Sequence, residues 1–442
     1  MNVKLAGKIQ SYKADIWGSV IFKLLAIMCS FLLVPLMLKY LGVEVFGIWI
    51  AIFSIVSWVI FFDLGFASGL RNRLTESLAR GDLKESSVLI STAYGAMAIL
   101  SIFLYIIFFA LNFLIDWQSI FNSHVVSMPE LRLSMATIVL LFLINFTLLI
   151  VLQVLHACQK TSITVVHQFL ANFFAFIVVL FMRYFVDSSL FAICLAYGLS
   201  QVVTTLIVSF VFYRANSLIV PRWGLFSVDR VKSIASLGGQ FFIVQLAVLI
   251  IFSTDKVIIV KLFGPESLTE YELVFKIFSS ILIVNTLFLA PLWSRYTHAA
   301  ENNDLLWMKK TLLRSNFIAV AMIFPAVILC WFGREIISLW SGYSMGADSK
   351  LLIAMLVFIL LRVWTDIYAY FLNGVGVMKV QVWLAVLQAI INVPLSVYLG
   401  REFGVVGVVY GSILTLSLSG VLLPMSVFWY FKKQPKNELL CR

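Results

Sequence analysis

The chain has 442 residues, of which 62% are hydrophobic and only 12% are charged, and its mean hydropathy is +1.03. Because a soluble domain has about 25% charged residues, this composition excludes a water-soluble globular protein and indicates a protein whose solvent is lipid. The formal net charge is +11, but no long basic patch with interleaved aromatic residues lies outside the apolar segments, so nucleic-acid binding is not expected.

The first apolar run follows Lys4, Lys8 and Lys13, a charge pattern that resembles a secretory signal peptide. The run is too long for the apolar part of a signal peptide and has no small-residue cleavage site after it. We therefore predict that it is an uncleaved membrane span and the first of twelve. The twelve predicted spans are 16–40, 45–69, 87–112, 132–155, 164–185, 188–213, 237–261, 271–294, 312–332, 351–373, 380–399 and 404–431.

The positions of Lys and Arg between the spans predict the orientation of the chain. With the N-terminus inside, the inner segments hold 21 Lys and Arg residues and the outer segments hold 7. Since Lys and Arg accumulate in cytoplasmic loops, this asymmetry predicts that both termini are cytoplasmic. The outer loops are short, which leaves no room for an external domain.

A short motif occurs twice, about half the chain apart. The pattern K-x-[LF]-G-x-E ends the first predicted span at 39–44 and the seventh at 261–266. Together with a longer inner connection at the midpoint, it predicts two parallel six-helix halves. We expect an N-terminal bundle over 1–215, a cytoplasmic connection over 216–236 and a C-terminal bundle over 237–442. The predicted fold class is thus an all-α integral membrane protein with twelve transmembrane helices.

Four basic residues lie inside apolar runs, namely Lys23, Lys256, Lys276 and Arg362. A charge inside a bilayer is costly, so each is expected to face water, a partner or a substrate. Arg362 lies near the middle of the tenth span, with Asp366 four residues later on the same helix face. Basic side chains at these places predict a path for an anion; the alternative for Arg362 is an ion pair that stabilises its own helix.

Acidic residues accompany these cations. Asp63, Asp255 and Asp366 are candidates for ion coupling or gating. Counted at 1.5 Å per residue, Lys23 and Asp63 lie toward the inner face. Asp255 and Lys256 lie toward the outer face, as do Glu272 and Lys276. These end clusters are interpreted as substrate steps or gates; interfacial groups and structural ion pairs remain the alternative. Uncharged polar residues such as Gln388 and Asn392, which share one helix face, are expected to form hydrogen bonds between helices.

No pattern of an enzyme or a cofactor site is present in the sequence. The five cysteines and four histidines have no spacing typical of a metal site. There is no Walker loop, so ATP hydrolysis is not expected, and no G-x-S-x-G nucleophile motif. We predict that the protein is not an enzyme and needs no cofactor.

Several stretches resemble one known family. They are residues 18–35, LGVEVFGIW at 41–49, FDLGFASGLRNRL at 62–74, ARGD at 79–82 and STDKVII at 253–259. Together they are similar to the Wzx-type flippases of O-antigen and polysaccharide repeat units. These belong to the multidrug/oligosaccharidyl-lipid/polysaccharide (MOP) exporter superfamily. The resemblance covers nearly the whole chain.

The resemblance implies a V-shaped, MATE-like pair of six-helix bundles in the bacterial inner membrane. It implies that the protein moves undecaprenyl diphosphate carrying a short oligosaccharide from the cytoplasmic to the periplasmic leaflet, coupled to a gradient of H⁺ or Na⁺. Membrane lipids and other polysaccharide-assembly proteins are the further expected partners. In this setting, Lys23, Lys256, Lys276 and Arg362 are the candidate binding residues for the diphosphate.

Two other functions remain open at this point. A drug or organic-cation antiporter of the same superfamily would need a mainly acidic cavity, whereas the cations in these spans are at least as numerous as the anions. A membrane-embedded O-antigen polymerase or ligase would need a sizeable outer loop, which this chain lacks.

Overall fold

The computed structural model of the protein describes residues 2–58, 66–344, 349–377 and 379–433, and within them also leaves out the side chains of 2–20, 236–253 and a few single residues. The described residues form helices joined by short turns. In chain order the helices are α1 (Asn2–Leu41), α2 (Val43–Ser57), α3 (Phe66–Ala79), α4 (Leu83–Leu114), α5 (Trp117–Phe121), α6 (Met128–Leu148), α7 (Ile150–Ala157), α8 (Thr161–Phe185), α9 (Leu190–Ala215), α10 (Val228–Phe263), α11 (Pro265–Glu301), α12 (Leu305–Trp331), α13 (Gly333–Ser341), α14 (Ser349–Gly374), α15 (Lys379–Phe403) and α16 (Val405–Lys433).

The chain divides into two compact units, Met1–Gln245 and Leu246–Arg442. In the first unit, α1 packs on α8, α6 packs on α9, and α4 packs on α6. In the second unit, α15 packs on α16, and α14 packs on both α11 and α16. The predicted division into bundles over 1–215 and 237–442 stays a prediction.

Ten of the described helical segments are long and apolar enough to cross a membrane. The most apolar stretches of α4 and α12 have only 17% of their residues buried inside the protein. The large apolar side chains on their outer surfaces would be unfavourable in contact with water, so they require lipid around them. The protein is therefore a multi-pass membrane protein. Helix α2 is shorter than a span, residues 59–65 of the predicted second span lie outside the described residues, and the count of twelve remains a prediction.

Side-chain caps explain where several of these helices begin. Asp82 precedes α4 and accepts a hydrogen bond from the backbone N–H of Glu85 at 2.9 Å. Asp304 precedes α12 and accepts one from Trp307 N–H at 3.0 Å. The first N–H groups of a helix have no partner within the helix, and a carboxylate at this place satisfies one of them.

The repeated K-x-[LF]-G-x-E motif has the same backbone geometry in both copies. Gly42 separates α1 from α2 with φ 78° and ψ 171°, and Gly264 separates α10 from α11 with φ 85° and ψ 172°. This region of φ and ψ is open essentially to glycine alone. Glu44 and Glu266 then lie in the first turn of the next helix, where a negative charge is favourable. The sequence repeat is thus a repeat of a helix break.

The connection before α10 lies along α4 and is held by small polar residues. The backbone N–H of Arg222 donates to Ser91 Oγ at 2.9 Å, and that of Ser227 donates to Thr92 Oγ1 at 3.1 Å. The Phe226 ring lies so close to Gly95 that a Cβ there would come within 2.7 Å of it. Helix α10 begins at Val228, where this docking and an ion pair in its first turn fix the segment.

That ion pair joins the first turn of α10 to the first turn of α4. Arg230 Nε lies 3.0 Å from Glu85 Oε1. One turn further along α10, the Ile234 carbonyl lies against Gly69 of α3, where a Cβ would collide with it. Residues 216–227 precede α10, and the predicted cytoplasmic connection over 216–236 stays a prediction.

In the second unit, glycine allows α15 and α16 to approach closely near the turn at Gly404. A Cβ on Gly407 would collide with the Leu399 carbonyl, and one on Gly411 would meet backbone atoms of Ser396. Backbone atoms cannot rotate away as a side chain can. Small residues are how membrane helices gain close packing.

We expect Gly407→Ala to lower the free energy of unfolding by about 1–3 kcal/mol, the usual cost of an overpacked contact. The measurement is thermal denaturation of the purified protein in detergent. Gly224→Ala is the matched control, because nothing lies within 4 Å of a Cβ placed there. Equal melting temperatures for the two variants would contradict the close packing of α15 and α16.

Candidate functional site

The strongest charged contact inside the apolar helices joins α10 to α11. Lys256 Nζ lies 2.7 Å from Glu272 Oε2, with the two side chains 19% and 15% exposed. The ammonium group also lies 5.7 Å from the centre of the Phe275 ring, within the range of a cation–π contact. Lys276, one turn after Glu272, interacts electrostatically with both Glu272 and Lys256. The predicted outer cluster of Lys256, Glu272 and Lys276 therefore comes together in the structure.

Asp255, the neighbour of Lys256, lies in a different environment. It is only 5% exposed and accepts a hydrogen bond from Ser412 Oγ on α16 at 2.6 Å. Asn392 on α15 donates from Nδ2 to Ser412 Oγ at 3.0 Å and to Thr415 Oγ1 at 3.2 Å. Three helices thus place a carboxylate, an amide and two hydroxyls together in the interior of the second unit.

Two oxygen atoms of this group are buried without a hydrogen-bond donor among the side chains that the structure describes. They are Oδ1 of Asp255 and Oδ1 of Asn392. A buried acceptor without a donor is unfavourable, and a buried carboxylate without compensation is more so. A proton would neutralise the Asp255 carboxylate, and carboxylate and amide oxygens are the ligands that hard cations prefer. We refer to Asp255, Asn392, Ser412 and Thr415 as the Asp255 cluster.

Gln388 extends the Asp255 cluster by one turn along α15. Its Nε2 donates to the Thr415 carbonyl at 2.8 Å and to Ser419 Oγ at 2.7 Å. The predicted hydrogen bonding of Gln388 and Asn392 between helices is therefore confirmed. These bonds fix α15 against α16 and hold the Asn392 amide in place.

Arg362 and Asp366 form the ion pair that their spacing predicts. Arg362 Nε lies 3.0 Å from Asp366 Oδ1, in the middle of α14. The guanidinium side chain keeps 28% of its accessible surface and the carboxylate keeps 16%. A guanidinium has five N–H donors in a fork that matches carboxylate and phosphate groups.

The candidates of the first unit are less well defined. Lys23 lies half-buried on α1, which packs on α8. Asp63, its predicted partner near the inner face, lies outside the described residues. The association of Lys23 with Asp63 and the roles assigned to both residues stay predictions.

A buried hydrogen-bonded group in the first unit was not singled out by its sequence. His167 Nε2 lies 2.8 Å from Thr205 Oγ1, and Thr205 Oγ1 donates to Asn145 Oδ1 at 2.7 Å. These three residues join α8, α9 and α6. The sequence signal for this group is a lone histidine in an apolar run. Such a histidine does not indicate which residues on other helices are its partners.

The sequence profile of the polysaccharide biosynthesis protein family matches residues 15–297. The chain belongs to the polysaccharide biosynthesis protein family. A putative O-antigen transporter of Salmonella typhi is 23% identical over 91% of this chain and 92% of its own length. A putative O-antigen export protein of Yersinia pseudotuberculosis is also 23% identical, over 90% of this chain and 91% of its own.

Solved structures of membrane transporters show the same fold. An inward-facing multidrug-resistance transporter of the MATE family and MOP superfamily matches with a TM-score of 0.72 at 14% identity, over 94% of this chain and 96% of its own. The lipid II flippase MurJ, in an inward closed conformation, matches with a TM-score of 0.68 at 13% identity, over 94% of this chain and 87% of its own. The predicted all-α, MATE-like fold is confirmed at this level.

We expect Lys256 and Glu272 to be coupled by about 1–3 kcal/mol in a double-mutant cycle, because both side chains are largely withdrawn from solvent. The cycle compares the unfolding free energies in detergent of Lys256→Ala, Glu272→Ala and the double variant with that of the unmodified protein. The exposed pair Arg73–Glu76, with side chains 37% and 53% exposed, is the control and should give about 0.5 kcal/mol or less. Equal coupling in both pairs would contradict a stabilising role for Lys256–Glu272.

Proposed function

We propose that this protein is a flippase for lipid-linked oligosaccharides. It moves undecaprenyl diphosphate-linked repeat units from the cytoplasmic to the periplasmic leaflet of the bacterial inner membrane by alternating access between two helical halves. Membership of the polysaccharide biosynthesis protein family supports this proposal, as do the O-antigen transport names of its relatives. The 21-to-7 distribution of Lys and Arg supports cytoplasmic termini and thus the proposed orientation of the protein in the membrane.

The observation that carries the proposal is the partly exposed Arg362 in the middle of α14. A permanent cation at this depth requires water, a counter-ion or an anionic ligand. Asp366 supplies one counter-ion, and the planar guanidinium group is the side chain best suited to forked contacts with a diphosphate. Lys23, Lys256 and Lys276 are proposed as further steps for the same diphosphate, while the lipid tail stays in the bilayer.

We further propose that the Asp255 cluster is the coupling site for H⁺ or Na⁺. Its two buried oxygens without donors belong to Asp255 and Asn392, which are held on three helices of the second unit. Binding of a cation there would neutralise the carboxylate and favour the helix arrangement in which the three helices meet. Release of the cation would favour a different arrangement, which is how an ion gradient biases a conformational equilibrium.

A drug or organic-cation antiporter is the second candidate, favoured by the likeness to the multidrug-resistance transporter. That likeness, at 14% identity, concerns the fold. The described charges of the second unit include Lys256, Lys276 and Arg362, so its interior is not the mainly acidic one that an organic cation would need. Drug resistance that rises with expression, without any effect on surface polysaccharide, would favour the antiporter.

We expect Arg362→Ala to reduce surface polysaccharide at least tenfold when it replaces the native gene, with normal protein levels in the membrane. The double variant Arg362→Ala/Asp366→Ala is the matched control, because it removes both charges and leaves no carboxylate unpaired. If Arg362 binds substrate, the double variant is equally inactive. Restored polysaccharide in the double variant would show that Arg362 serves only to neutralise Asp366.

We expect Na⁺, exchanged for choline at constant ionic strength, to raise the melting temperature of the purified protein, because a ligand that binds only the folded state stabilises it. Asp255→Asn should abolish this rise. In the unmodified protein the rise should shrink as the pH falls, since protons compete for the same carboxylate. Glu272→Gln, which changes a carboxylate outside the Asp255 cluster, should retain the response.

If H⁺ is the coupling ion, Na⁺ has no effect on either protein. Transport in vesicles then depends on the pH gradient, and Asp255→Asn removes that dependence. An Asp255→Asn protein that responds to both ions like the unmodified protein would contradict the assignment.

A further inference from the structure

A second polar site lies between α11 and α12, away from the charged groups discussed above. It is a pocket of 230 Å³. On α11 it is lined by residues from Asn285 to Arg295, and on α12 by residues from Trp307 to Ile318. The lining positions recur every three or four residues, so one face of each helix forms one wall. Residues Asn302 and Asn303 and the cap Asp304 join the two helices, which therefore run antiparallel.

Each wall of this pocket carries one arginine, Arg295 on α11 and Arg314 on α12. Side chains on a helix lean toward its N-terminus. Since the two helices are antiparallel, the two guanidinium groups lean toward each other along the pocket. Neither arginine has a carboxylate within 4.0 Å among the described side chains, and Asp304 is engaged as the cap of α12. The pocket therefore has two exposed positive charges at one end.

A buried amide lines the same pocket at the end away from Arg295. Asn285 is 1% exposed, and its Nδ2 has no acceptor among the described residues. It lies ten residues from Arg295, about 15 Å along the helix. The Thr311 side chain on α12 also lines the pocket and is 8% exposed. A ligand that fills the pocket thus meets charge at one end and neutral hydrogen-bonding groups further in.

The middle of the pocket and its surroundings are apolar. Phe288 and Leu292 line it, and Phe288 is 51% exposed. These side chains belong to spans that need a lipid solvent. The pocket therefore opens on a surface that hydrocarbon chains can cover.

We propose that this pocket binds the head group of an anionic phospholipid. The phosphate lies between Arg295 and Arg314, the glycerol and ester groups reach toward Thr311 and Asn285, and the acyl chains follow Phe288. A volume of 230 Å³ is below the roughly 300–1,000 Å³ of pockets for drug-sized ligands, so it suits a head group and not an oligosaccharide. Under the proposed orientation, the end of the pocket with the two arginines faces the cytoplasmic leaflet, whose surface is anionic.

The test is native mass spectrometry of the delipidated full-length protein titrated with dioleoyl phosphatidylglycerol or dioleoyl phosphatidylcholine. We expect at least fivefold tighter binding of phosphatidylglycerol, and a loss of at least fivefold in Arg295→Gln/Arg314→Gln. Lys309→Gln/Lys310→Gln is the matched control, because it removes the same charge from the first turns of α12 but neither residue lines the pocket. This control should keep the phosphatidylglycerol affinity within twofold.

Further arms separate this lipid from other anions. Asn285→Leu keeps both arginines but should still lower the affinity for phosphatidylglycerol at least threefold, because the proposed site also uses the amide. Inorganic phosphate at 100-fold excess over the lipid should not displace it. The proposal is overturned if the lysine control loses as much affinity as the arginine variant, because the effect would then be general surface charge. It is also overturned if undecaprenyl phosphate binds the pocket at least tenfold tighter than phosphatidylglycerol, which would make it a substrate site.

Discussion

A charge placed in the hydrocarbon core of a membrane must be compensated, and this constraint organises the interior of the protein. Lys256 is paired with Glu272 at 2.7 Å, and Arg362 with Asp366 at 3.0 Å. Both pairs lie within helices whose remaining residues are mostly apolar. Breaking such a pair leaves a charge that lipid cannot solvate. The pairs therefore stabilise the bundle and at the same time keep ionic groups at depths where a polar substrate would have to pass.

Asp255 satisfies the same constraint by a different arrangement. Its neighbour Lys256 forms an ion pair with Glu272, and Asp255 accepts one hydrogen bond from the Ser412 hydroxyl. One carboxylate oxygen and the Asn392 carbonyl oxygen have no donor among the side chains that the structure describes. An incomplete set of partners is unfavourable in a static core, but it is what a site for an exchangeable proton or cation requires. The contrast between the ion pair of Lys256 and the carboxylate of Asp255, one residue apart, is the reason why we propose a coupling role for Asp255.

Sequence reasoning predicts the parts of this structure that depend on local geometry. A run of about 20 apolar residues has one stable solution in lipid, a helix, and ten such helices are present. The Arg362–Asp366 pair follows from the i,i+4 spacing, and the break at Gly42 follows from a residue that tolerates positive φ. These features need no knowledge of which helices are neighbours.

The contacts that sequence reasoning misses are those between distant helices. Ser412 bonds to Asp255 across 157 positions of the chain, and nothing in one sequence indicates which helices pack together. The start of α10 at Val228 also depends on contacts with distant residues. Glu85 and Gly69, far earlier in the chain, make the contacts that hold this segment as a helix.

The central claim is transport of a lipid-linked oligosaccharide across the membrane, and the leaflet in which the substrate accumulates tests it most directly. In a strain that lacks this gene, undecaprenyl diphosphate-linked repeat units would be probed with a glycosidase that reaches only the periplasmic leaflet. We expect the units to accumulate in a form protected from the enzyme and to become sensitive once the membrane is permeabilised. Units that are fully sensitive in intact spheroplasts would contradict the flippase and indicate a later polymerisation or ligation step.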